Sequence, residues 1–99
     1  DVSAASSTFV VVPDGGKIIK IFAHNLATTT GTAAITFEID GTACATAAIS
    51  HIAASSAGKQ YTSLPSATNN VLEGSVIEAI TNGGSTNASK MELTFVIRR

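Results

Sequence analysis

The sequence holds no tryptophan, one tyrosine, one methionine, two prolines and a single cysteine, Cys44, in 99 residues. One cysteine excludes an internal disulfide and any zinc cluster built on cysteines. Charge is scarce as well: Asp, Glu, Lys and Arg make up 13% of the chain, the formal net charge is −1 and the pI about 6.1. So weak a field gathers neither nucleic acid nor anionic lipid, and neither is expected as a partner. No apolar run approaches the roughly 20 residues of a bilayer-spanning helix, so no membrane segment is expected. Aromatic residues are 5% of the chain, too few for a stacking platform that tracks single strands.

What is present is small and apolar. Hydrophobic residues make up 44%, and Ala, Ser and Thr together account for about forty of the residues. Small polar residues bury little area against the entropy of ordering, so such a composition could leave a chain disordered. Against that, Ile and Val fall in short clusters separated by Gly, Asn, Asp and Pro, the pattern of strands and turns. At this length one hydrophobic core is expected, hence one domain. Asp1–Ser7 shows no basic stretch leading into an apolar core, so no secretory signal is read there, and removal of an earlier one stays open.

Ser7–Val12 is the first expected strand, stopped by Pro13-Asp14-Gly15-Gly16. Lys17–His24 follows, with Ile19, Ile21 and Ala23 on one face and Ile18, Lys20, Phe22 and His24 on the other. Asn25–Thr32 reads as a loop. Ala33–Ile39 alternates cleanly and runs into Asp40-Gly41, the dipeptide of a tight type I′ hairpin, so Thr42–Thr46 is expected to return antiparallel. In Ala47–Ala54, Ile49 and Ile52 fit one helical turn as readily as a strand; the Ser and Thr neighbours and the preceding hairpin favour the strand. Ser55–Gly58 is expected as loop and Lys59–Ser63 as a short strand. A further loop is broken by Pro65, and Val71–Ser75 reads as a turn before the strand Val76–Thr81. After the turn-rich run Asn82–Asn87, Lys90–Arg98 points Met91, Leu93, Phe95 and Ile97 inward. Seven to eight short strands in this length predict an all-β fold, a compact antiparallel β-sandwich of jelly-roll-like or immunoglobulin-like kind. Its two sheets are expected to close on Phe9, Ile19, Ile21, Phe37, Ile80, Leu93 and Phe95. Residues 1–6 are expected as a flexible N-terminal arm on a domain spanning 7–99.

Residues that could carry chemistry do not assemble into a known pattern. His24 and His51 are the only histidines, no Gly-x-Ser-x-Gly elbow surrounds a serine, and Cys44 has no flanking signature. Asp14 and Asp40 sit in turns, and Glu38, Glu78 and Glu92 on outward strand faces. No calcium loop or zinc spacing occurs, and Gly83-Gly84 lacks the lysine of a phosphate loop. The sequence therefore predicts a non-enzyme with no cofactor and no metal. Long uncharged stretches, Leu26–Phe37 and Ala43–Gly58, suit either a neutral hydrated surface or the centre of a protein interface.

From Phe9-Val10-Val11-Val12-Pro13 to Lys20-Ile21, in Val71–Glu78, and from Thr81–Asn87 to Phe95-Val96-Ile97-Arg98-Arg99, the chain resembles capsid decoration (cement) proteins of tailed bacteriophages. The resemblance implies a structural protein on the capsid exterior of a virion, bound to the major capsid protein, in a homo-oligomer expected to be a trimer. Val2, Ala4 and Ala5 of the arm and Leu26, Thr28, Thr29 and Thr30 of the first long loop are the expected capsid or subunit contacts. The alternative from another class is a receptor- or glycan-binding knob of a phage fibre or tail, for which Tyr61, Asn69, Asn70 and Asn87 are available.

Overall fold

The computed structural model describes residues 1–53 and 56–99, with the backbone alone at His51 and Ala53. Ala54 and Ser55, at the junction of an expected strand and loop, lie outside the described residues. The described chain is all β: β1 (Ala5–Val11), β2 (Gly16–Asn25), β3 (Thr32–Ile39), β4 (Thr42–Ala43), β5 (Ile49–Ala53), β6 (Gln60–Ser63), β7 (Asn70–Val71), β8 (Val76–Asn82) and β9 (Met91–Arg98). They form two antiparallel sheets. In the first, β1, β8 and β3 lie side by side, with β4 and β5 in succession on the far edge of β3. In the second, β9 and β2 pair, with β6 and β7 on the other edge of β2. Of the strand expected over Ala47–Ala54, Ile49–Ala53 forms β5, and Ala47 and Ala48 precede it outside the strand. The one element read as a turn that pairs instead is the two-residue β7.

The Asp40-Gly41 turn forms as its residues dictate. Asp40 has φ 49° and Gly41 φ 83°, the left-handed pair that matches the twist of a hairpin. The Asp40 carboxylate also accepts from the amide of Val76 at 2.9 Å, tying this turn to the start of β8. The return strand is shorter than expected, Thr42–Ala43 rather than Thr42–Thr46. Thr46 turns left-handed (φ 56°) and its hydroxyl hydrogen-bonds the oxygens of Leu64 and Ser66, which draws the chain off the sheet.

The core lies between the sheets around Phe37, Ile18, Ile21, Ile35, Ile52 and Ile77, all under 2% exposed. Phe95 meets Phe37 edge-on, with ring centroids 5.7 Å apart. Leu93 and Phe95 are half-buried against this core, as the alternation of β9 predicts. Three expectations need correction. Ile19 is only half-buried while Ile18 is fully so, because the β2–β9 register shifts between Ile18 and Lys20 and the bulge turns the alternation over. Phe9 is 62% exposed, because β1 is an edge strand and Phe9 stands opposite Glu78 on the outer face. Ile80 shares that outer face and is half-buried.

The N-terminal segment is also not a free arm. Val2 is 0% exposed, its amide donates to the Ser89 carbonyl at 2.9 Å, and its own carbonyl accepts from Ser85 at 3.1 Å. Gly83 has φ 71°, and a Cβ there would lie 2.6 Å from the Ala5 amide nitrogen; the lack of a side chain lets the segment lie this close.

Candidate interaction surface

Among the described residues, an end and a flank carry the features that bear on interaction. At the end, three segments meet: residues 1–4, the β2–β3 loop (26–31) and the β8–β9 loop (83–90). Hydroxyls and backbone knit them together because the loops are rich in Ser and Thr and have few apolar side chains to bury. Thr86 donates its amide to the Thr30 carbonyl at 3.0 Å and its hydroxyl to Thr30 Oγ1 at 2.8 Å. The Ser89 hydroxyl donates to the Ala27 carbonyl at 3.0 Å, and the Leu26 amide to the Lys90 carbonyl at 3.0 Å. Asp1 Oδ1 accepts from the Ser3 amide and hydroxyl and from the Ser89 amide.

The fold thus brings the expected contact residues to one end, though not all to its surface. Ala4, Ala5, Leu26 and Thr28 are exposed, Leu26 at 49%, and Thr30 is half-buried. Val2 and Thr29 are 0% exposed, so neither can touch a partner; both hold the end in shape instead. Sequence reasoning places them at the surface because a single valine among Asp, Ser and Ala, or one threonine of three in a row, carries no periodicity.

The flank is the side where β1 and β9 form the sheet edges. On the opposite flank β5 and β6 approach one another. Here the layers stay apart, leaving a cleft of about 260 Å³ lined by Val10, Ile77, Ala79, Met91, Leu93 and Phe95, among others. Directly opposite residues of an antiparallel pair share a face. Thr8 and Val10 pair with buried Ala79 and Ile77 and so face the cleft; Phe9 and Val11 pair with Glu78 and Val76 and face outward. All seven residues of β1 are exposed, Phe9 at 62% and Val11 at 61%. The sequence puts Phe9 in the core instead, since a run of Phe and three Val without alternation reads as a strand buried on both faces.

Groups with chemical potential are dispersed. Cys44 is half-buried beside the core, and burial first, then the nearby Glu38 carboxylate, pushes its thiol above the ordinary range. A raised thiol is mostly un-ionised at neutral pH and a poor nucleophile. His24 Nε2 lies 3.4 Å from Glu92 Oε2 on the outer face of the second sheet, both well exposed. Among the described residues no three His, Cys, Asp or Glu side chains gather where they could hold a metal. Of the residues available to a glycan, Asn69 is buried and donates to the carbonyl of Ile18 at 2.7 Å, a structural bond. Asn70 pairs with Lys17 and Tyr61 with Ala23, six residues along β2, about 20 Å apart at strand rise. Asn70 and Tyr61 therefore do not share a site, and Asn87 sits in the β8–β9 loop. Compared with protein-family models and with curated proteins, the chain matches none.

Proposed function

We propose that this chain is a non-enzymatic structural protein of a bacteriophage virion that binds the outer surface of the capsid, through the major capsid protein, and stabilises the shell. The observation that supports it best is the convergence of exposed Ala4, Leu26 and Thr28 on one end whose two loops carry a single charged residue, Lys90 just before β9, with Asp1 the other charged side chain among the three segments that meet there. Interface centres are depleted in charge, because each buried charge must be desolvated. Hydroxyl and methyl groups held by their own hydrogen-bond network also lose little freedom on docking. A protein that binds only the assembled lattice stabilises it by mass action, by about 2.7 kcal/mol per site at a free concentration of 100 Kd.

The test is co-sedimentation of the purified chain with phage heads lacking it. Saturable binding that Leu26→Asp abolishes is the expected result. No binding by the wild type, together with retention on a glycan array, would overturn the reading in favour of a receptor-binding knob.

A further inference from the structure

We propose that β1 pairs antiparallel with β1 of a second copy, about a two-fold axis through Thr8, joining the first sheets of two copies into one. The inference stands on the edge strand itself and is independent of what the end surface binds.

An unpaired strand edge is a template for another strand, and proteins guard such edges with charge, proline, bulges or brevity. The other edges here are guarded. β4, β6 and β7 are two to four residues long, and β5, five uncharged residues at the far edge of β3, has β6 beside it where the two sheets approach. β9 carries Glu92 and Arg98, with Lys90 just before it. β1, by contrast, is Ala-Ser-Ser-Thr-Phe-Val-Val: seven residues, no charge, no proline and no register shift against β8. Among the described residues its second edge has no ladder partner.

What marks the missing strand as a second copy is self-complementarity. A two-fold through Thr8 sets Ala5 against Val11 of the second copy, Ser6 against Val10 and Ser7 against Phe9. The three small side chains lie in one half of the strand and the three large ones in the other, so every pair matches small with large. On the outer face the Phe9 ring finds room over Ser7 of the second copy. On the inner face Val10 stays over its own cleft.

The axis sets a residue against its own copy only at Thr8, and β1 carries no charge that would have to be desolvated or matched in the pairing. The nearest carboxylate on that face, Glu78, lies one strand in from β1. Its symmetry mate is then three strand spacings away, about 14 Å. That exceeds the Debye length of about 8 Å at physiological salt.

Light scattering on the full chain from about 1 μM to about 1 mM tests the pairing. A concentration-dependent dimer is expected, with an association constant that changes less than about two-fold between 50 mM and 500 mM NaCl, since no charge crosses the axis. Ser7→Lys, an exposed outward position, should lower that constant at least ten-fold while the thermal midpoint of the monomer holds. In a Cys44→Ser background, Thr8→Cys should oxidise to a covalent dimer, because directly opposite Cα atoms lie about 4.5–5.5 Å apart, within disulfide reach. A monomer throughout the range, a trimer, or a dimer that survives Ser7→Lys and stays unlinked in the Thr8→Cys variant would each overturn the proposal. No capsid enters these measurements, so their failure is distinct from failure of shell binding.

Discussion

Replacing Val2 with Ala removes two methyl groups from a site that is 0% exposed, eighty-seven residues from its hydrogen-bond partner Ser89. Transfer of two methyl-sized groups costs about 1.6 kcal/mol, and an unfilled cavity raises the total to about 2 kcal/mol. For a domain of this size each kcal/mol moves the thermal midpoint by about 4–8 °C, so Val2→Ala should lower it by about 8–16 °C. Leu72→Ala is the control. Leu72 is 74% exposed, and truncating it should change stability by less than about 0.5 kcal/mol. Circular dichroism followed through a thermal melt at one fixed protein concentration reads both. If Val2→Ala melts within about 2 °C of the wild type, the segment is a free arm and the anchoring of the end by residues 1–4 is refuted.

Gly41→Ala places a Cβ at φ 83° and should cost about 1–2 kcal/mol, read as a lower denaturant midpoint at unchanged slope. Cys44 titrates higher in the folded than in the unfolded state, so its contribution is complete below the unfolded pKa. It is lost as pH rises through the folded one: stability should fall from about pH 9 upward, and Cys44→Ser should flatten that fall. Alkylation of Cys44 at neutral pH should be slower than that of a free thiol, and Glu38→Gln, which removes the second cause of the shift, should speed it. Thr28→Asp, on an exposed loop residue, should leave the melting curve in place while reducing occupancy on heads.

The parts of the fold that were legible in the sequence are those where local chemistry decides. Asp40-Gly41 supplies left-handed backbone, and the alternation of Ile35, Phe37 and Ile39 against Thr36 and Glu38 identifies a half-buried strand; the fold contains both. What stayed hidden depends on neighbours distant in the chain. The bulge in β2 exchanges Ile19 for Ile18 through its pairing with β9, and adjacent isoleucines give no sign of it. Phe9-Val10-Val11 has the composition of a central strand, yet it lies at an edge because β9 ends the facing sheet and no strand covers β1 among the described residues. The end surface was half legible: its first loop stood out within the uncharged stretch Leu26–Phe37, whereas the burial of Val2 and Thr29 inside it follows only from how three segments meet.

The proposed position outside a shell is tested most directly by a difference map from electron cryomicroscopy of heads with and without the chain. Added density is expected on the outer surface, in units matching a body of 36 × 20 × 20 Å, contacting the capsid where residues 26–31 and 83–90 fit. Identical shells in the two maps, or added density confined to the tail, would contradict it.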